Sequence, residues 1–290
     1  MTHQKMSLKQ LKQGIAFSIF GVMSFIVVAI LVSILGFIAV RGIGVISWGF
    51  LTEMPKDGMT KGGIFPAIIG TACLVVGSMV FAFPIGVLSG IYIQEYLSEN
   101  WLKKLLRMMT NNLAGVPSIV FGLFGMTLFV NHLGFGDSIL AGSLTLALLA
   151  LPVVIRLTEE ALKAVPNGLR LGSYALGASK IQTIQKVVLP VAFPNILTGL
   201  ILSIGRVSGE TAPILFTVAA YFLPRLPESI HDQVMALPYH LYVLATSGTN
   251  MEKTRPMAYG TALVLVSIVL IINISASMLR RRIRNKTKIN

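Results

Sequence analysis

Two ions of opposite sign, Arg206 and Glu210, stand inside an apolar block that runs from Val191 to Leu223. Four residues apart on a helix, they share a face and can pair. In lipid a charge at mid-span costs roughly 2.5–3.5 kcal/mol on insertion scales, so charges retained there tend to face a pathway or a cavity. Gly209 and Pro213 flank the glutamate and weaken the helix, which should bare backbone donors beside the arginine. A broken helix with a nearby cation at mid-membrane depth is one way transporters hold anions. The expected substrate pathway is therefore Arg206, Gly209, Glu210 and Thr211. The competing reading is a buried ion pair that only fixes helix packing.

Other apparent chemistry fails on spacing. Gly172 and Gly177 have the outer spacing of a phosphate-cradling P-loop, but Ala178 and Ser179 stand where its lysine and hydroxyl residue belong. Gly42 and Gly44 begin a dinucleotide-like pattern that Ser47 breaks. His132, His231 and His240 fall in loops and His3 in the amino-terminal tail, none paired at metal-ligand spacing, and all four are expected at solvated surface. The lone Cys73 lies in an apolar block, which excludes an intrachain disulfide. No catalytic residue, cofactor or metal is expected, and a membrane enzyme is disfavoured. Any nucleotide hydrolysis must come from another subunit.

A second stretch suits docking rather than catalysis. Val165 to Pro190 is basic and glycine-punctuated, and reads as two short helices back to back. Asn167 can cap the first, which carries Leu169, Leu171, Tyr174 and Leu176; Gly177 suits the left-handed position that ends it. Ser179 opens the second with Gln182 at capping-box spacing, and Ile181, Ile184 and Val188 share its stripe. Small residues from Gly172 to Ser179 lie between the stripes, so another protein's backbone can come close.

The elements that hold these two stretches are membrane spans. Of 290 residues, 54% are apolar and 12% charged, and the apolar ones come in uninterrupted blocks, so lipid is the solvent for most of the chain. The net charge of +13 sits in short loops and at both ends, with no basic stripe interleaved with aromatics, which argues against nucleic acid. Six spans are expected: Gly14–Val40, Ile64–Ile93 with a kink at Pro84, Leu113–Val130 with Pro117 in its first turn, Ile139–Ile155, the Val191–Leu223 block, and Ala258–Leu279. The fourth helix should continue past Arg156 and Glu159. Gly86 and Gly90 have the spacing of close helix packing. Between the second and third spans, Leu102, Leu105, Leu106 and Met109 oppose Lys103, Lys104 and Arg107, as in an interfacial helix. Pro224 to Pro256 reads as a long loop.

Placing both termini in the cytoplasm puts three Lys or Arg in the amino-terminal tail, three after the second span, five after the fourth and six in the basic tail. The opposite side receives three, none and three. The positive-inside rule thus makes residues 1–13 and 280–290 cytoplasmic tails, 14–279 the transmembrane domain, and the 165–190 knuckle cytoplasmic.

The knuckle resembles the cytoplasmic coupling loop of binding-protein-dependent ABC importer permeases: Gly177 matches the loop glycine, and Val187, Leu189 and Pro190 its trailing Ile-x-Leu-Pro. GGIFPAIIGT from Gly62, IYIQEY from Ile91, NLAGVPSIVFGLFG from Asn112, GETAPILFT from Gly209 and LPYHLYVLAT from Leu237 extend the resemblance to the phosphate-importer (PstA-type) branch. That resemblance implies an all-α, MetI-like fold with a coupling helix and ATP-driven import of inorganic phosphate. It also implies a PstC-type partner permease, two PstB-type ATPases and an external PstS-type phosphate-binding protein. Where the loop usually reads Glu-Ala-Ala, this chain has Leu171, Gly172 and Ser173. ATPase coupling would then rest on Gly172, Tyr174, Gly177, Leu189 and Pro190, with Arg170 offering a charge. A permease for another solute stays open, as does a secondary transporter, although six spans without evident symmetry argue against the latter.

Overall fold

Runs of sequence without charge become long helices, because a backbone in lipid must satisfy its own hydrogen bonds. The structure, a computed structural model, describes residues 8–247 and 251–287. The tail positions His3, Lys5 and Lys288 lie outside the described residues.

In chain order, α1 (Leu8–Gly42) and the short α2 (Trp48–Thr52) lead into a two-residue hairpin of β1 (Pro55–Lys56) and β2 (Lys61–Gly62). Then come α3 (Phe65–Ile91), which continues into a π-helical turn over Tyr92–Tyr96, and α4 (Trp101–Ala114). Next, α5 (Ser118–Gly125) continues as a π-helical segment to His132, and α6 covers Ile139–Lys163. The knuckle holds α7 (Asn167–Ala175) and α8 (Lys180–Thr183), joined through a π turn to α9 (Leu189–Ser208). The chain finishes with α10 (Ala212–Leu215), α11 (Leu237–Thr246) and α12 (Met251–Thr287). Among the described residues, five helices are long and apolar enough to cross a membrane, and a bent sixth, α4 with α5, turns through 96°.

Between Gly14 and Val40 the helix α1 is apolar on every side and almost wholly exposed, as a lipid-facing span should be. It rests along α12, where Phe37 meets Tyr259 edge-on at 5.6 Å. Inside, α3 packs on α6, α6 on α9 and α9 on α12. The α3–α6 contact is as close as Gly86 and Gly90 suggest: a Cβ on Gly90 would lie 2.7 Å from the Thr158 Cβ. Leu74, Leu146, Ala147, Ala150, Val207 and Val218 form the central core. A second apolar cluster sits at the hairpin end and a third at the knuckle end.

Several boundaries differ from expectation. The helix α3 runs unbroken through Pro84, and its irregular turn lies farther on, at Tyr92–Tyr96; neighbouring helices can hold a proline within a span. The third span starts at Ser118, because Gly115, Val116 and Pro117 form the corner and Pro117 cannot continue the hydrogen-bonded turn behind it. As expected, α6 continues past Glu159 to Lys163. Asn167 is the first residue of α7, after Pro166, and provides no cap bond. Lys103 is buried rather than on the wet face, its ammonium 2.8 Å from Glu99.

The fifth block is the largest correction. Its helix ends at Ser208, and the chain from Gly209 to Ala236 doubles back through α10 and an irregular segment instead of reaching Leu223 as a span. That segment closes the far end of α6: Thr217 O, Asp232 O and Ile230 O accept from the N–H groups of Ser138, Ile139 and Leu140. The Pro224–Pro256 region is likewise no simple loop. Its Leu237–Thr246 part is a half-buried helix whose first N–H donates to Thr71 Oγ1 of α3 at 2.8 Å.

Candidate functional site

The ion pair forms. Arg206 Nε lies 3.4 Å from Glu210 Oε1, with the two side chains 39% and 16% exposed. Its depth follows from packing against α6. A Cβ on Gly199 would sit 2.9 Å from Leu157, and Val207 shares the core with Leu146, Ala147 and Ala150. Arg206 therefore stands near mid-height of α6, in the last turn of α9. The glycine at 209 ends the helix, and Pro213 begins the next short turn. Leu202 and Arg206 of α9, with Gly209 just past its end, form a strip that is exposed among the described residues. Thr211 is half-buried just ahead of α10 and makes no capping bond there. One expectation fails: the Gly209 and Glu210 N–H groups are not bared, because the helix end tightens and they donate to Arg206 O and Val207 O at 3.1 and 3.2 Å. Attraction for an anion at this point rests on the guanidinium.

The knuckle takes the expected local form. Gly177 has φ +80°, the left-handed conformation that glycine adopts most easily, and Ser179 with Gln182 makes a complete capping box. A 2.9 Å hydrogen bond between Ser173 Oγ and Thr183 Oγ1 ties α7 to the end of α8. Of the predicted stripes, Ile184 and Val188 are buried, whereas Leu171, Leu176 and Ile181 are exposed, Leu176 by 90%. Gly172 and Tyr174 share this open surface. Leu189 and Pro190 do not: they lie in the first turn of α9 and line an apolar groove of about 480 Å³ with Val87 and Ile91 of α3.

Arg170 also departs from its expected part. It offers no charge outward, because its side chain is 13% exposed and bonds Glu95 Oε1 at 2.6 Å. It also donates to the carbonyls of Leu162 and Val165 at 2.9 and 2.8 Å. Another polar cluster was not evident from spacing. Arg107 of α4 donates to Glu159 of α6 at 2.7 Å and to Gln94 at 3.0 Å, beside a polar cavity of about 310 Å³.

His132 and His231 are exposed as expected, but His240 is not. It is 2% exposed on α11, neither ring nitrogen has a hydrogen-bond partner, and burial pushes its pKa down to about 4. The spacing of Leu237, His240, Val243 and Leu244 is helical and could have revealed this. In the segment before α11, Asp232 accepts from the Glu228 and Ser229 N–H groups, which hold its pKa below the usual carboxylate value.

Residues 82–285 match the family described as binding-protein-dependent transport system inner membrane component. The chain is 34% identical to the probable ABC transporter permease protein YqgI of Bacillus subtilis, over 97% of this chain and 99% of that one. It is 40% identical to the phosphate transport system permease protein PstA 1 of Mycobacterium tuberculosis, covering 76% of this chain and 71% of the relative. Among solved structures, a bacterial alginate ABC transporter superposes with a TM-score of 0.69 at 14% identity, over 95% of this chain and 97% of that one. The MetNI methionine ABC transporter superposes at 0.60 with 19% identity, covering 76% and 97%. At these identities the two structures speak to the fold alone, which is that of an ABC importer permease.

Proposed function

The chain belongs to the family of binding-protein-dependent transport system inner membrane components, and on that premise we propose that it is the phosphate-conducting permease subunit of an ATP-driven importer. Permeases of this family are multi-pass membrane subunits that work with a partner permease, an ATPase and a binding protein. Here the proposed partners are a PstC-type permease, two PstB-type ATPases and a PstS-type phosphate-binding protein. The subunit itself is proposed to be non-catalytic.

The observation that carries the substrate class is Arg206: a guanidinium level with the middle of α6, where its own helix ends, on a strip left exposed among the described residues. Glu210 neutralises it in the resting state. An incoming oxyanion competes with the Glu210 carboxylate for the guanidinium, so the pair keeps the arginine neutralised between transport events. The uncovered strip faces the partner permease, and the pathway runs between the two.

Orientation follows from charge, with both termini and the knuckle in the cytoplasm. Leu171, Leu176 and Tyr174 then present an apolar surface beneath the membrane, suited to an ATPase groove. With no acid at position 171, docking rests on shape and apolar contact. Purification of the tagged chain from its native membrane tests the assignment. The expected companions are an ATPase and a second permease, and the complex in liposomes should take up radiolabelled phosphate until ATP is exhausted. Uptake that survives ATP depletion at constant membrane potential would point to a secondary transporter; preference for another solute would leave the importer class and remove phosphate.

A further inference from the structure

The importer reading places an ATPase under the knuckle but says nothing of how movement there reaches the spans. We propose that the π-helical turn Tyr92–Tyr96 is the receiving end, with Glu95 and Tyr96 as the positioning residues that transmit knuckle movement to α3. Both knuckle helices hold this one turn. From α7, Arg170 bonds the Glu95 carboxylate at 2.6 Å and 3.3 Å, with both side chains largely buried. From α8, Lys180 sits over the Tyr96 ring, 4.8 Å from its centroid. Tyr96 in turn stacks with Tyr92 at 6.2 Å.

The two contacts differ in strength. A buried pair whose partners have further hydrogen bonds keeps its geometry under load, whereas a surface pair is screened and mobile. Arg170 has those further bonds, to Leu162 and Val165 at the end of α6. It therefore fixes α7 to α6 and to the end of α3 together. Above the turn, α3 cannot shear freely against α6, because Gly86 and Gly90 seat it on Val154 and Thr158. Displacement at Glu95 thus moves α3 and α6 as a unit. A π turn is the part of such a helix most able to change register, and π bulges gather at functional places.

This inference rests on the knuckle being the ATPase seat, and its test separates the two. Complete complexes carrying Glu95→Gln, Glu95→Asp or Lys180→Gln are reconstituted, and phosphate moved per ATP hydrolysed is measured. Glu95→Gln should lower that ratio by about five-fold or more while hydrolysis itself changes little. Glu95→Asp should recover most of the loss, and Lys180→Gln should lower the ratio by a smaller factor. Equal falls in transport and hydrolysis, or an unchanged ratio, would overturn the proposal; Lys180→Gln decides the same way if Glu95→Gln does not assemble.

A second arm needs no solute. In a Cys73→Ser background, spin labels at Leu88 of α3 and Gly168 of α7 should keep one separation in nucleotide-free and vanadate-trapped complexes. In Glu95→Gln that separation should shift or broaden on trapping. The same shift with Glu95 intact would overturn the proposal. Should the unaltered complex hydrolyse ATP yet move no phosphate, the substrate reading fails while this arm still decides the linkage; a chain that recruits no ATPase sinks both.

Discussion

Replacing Arg206 with glutamine removes the one mid-height cation on the exposed strip of α9 and leaves Glu210 unpaired. A hydrogen bond to a charged group contributes about 1.5–3 kcal/mol. Losing one such bond to the passing oxyanion, about 2 kcal/mol, corresponds to roughly thirty-fold in rate. The unpaired carboxylate repels phosphate and pushes the same way. Proteoliposomes holding the complete complex, with binding protein in excess, should therefore show phosphate uptake reduced about thirty-fold or more, at near-normal ATP hydrolysis. Glu210→Gln, which keeps the guanidinium, should cost far less. The double variant Arg206→Leu/Glu210→Leu separates the readings. An ion pair that serves packing alone can be exchanged for apolar side chains with little loss, and often with a gain in stability. An assembled double variant transporting like the unaltered protein would refute the pathway role.

Three further outcomes follow. His240 titrates near 4 when folded and near 6.5 when unfolded, so stability is fully present above the upper value and falls as pH drops through that window. The total is about 3 kcal/mol, and His240→Leu should flatten the dependence of the melting temperature in detergent between about pH 7 and pH 4.5. Unchanged slopes in the variant would contradict the buried neutral imidazole. Gly90→Leu places a side chain where Thr158 and Ile155 already stand, and should destabilise the subunit by about 1–3 kcal/mol, read by thermal unfolding. Leu176→Asp, at the most exposed apolar position of the knuckle, should leave the fold intact and reduce ATPase co-purification by roughly thirty-fold, as loss of a central anchor does.

Much of this arrangement is written in local sequence. Unbroken apolar blocks gave four of the spans nearly in place, because lipid leaves the backbone no alternative to helix. Gly177 and the Ser179–Gln182 box were readable because turn and cap chemistry act within a few residues. What escaped depends on distant partners. From local sequence Arg170 reads as an outward charge, whereas the fold places Glu95, 75 residues away, beside it. Burial of Lys103 and the Arg107–Glu159 bond likewise need the fold of α4 onto α6. LPYHLYVLAT has helical apolar spacing, but flanks rich in turn residues hide it within what reads as loop. Periodicity does not distinguish a helix that ends at Gly209 from one that continues past it, so the fifth block reads as one span. Arg206 and Glu210 pair as their spacing predicts, but the backbone donors expected beside them are taken by the helix end.

The division of labour between subunits is tested most directly by measuring solute accumulation against a gradient in liposomes of defined content. With partner permease, ATPase, binding protein and ATP present, phosphate should accumulate, and omission of the ATPase or of ATP should abolish it. Uphill movement of phosphate by this subunit alone, or hydrolysis of ATP by it in isolation, would contradict the assignment.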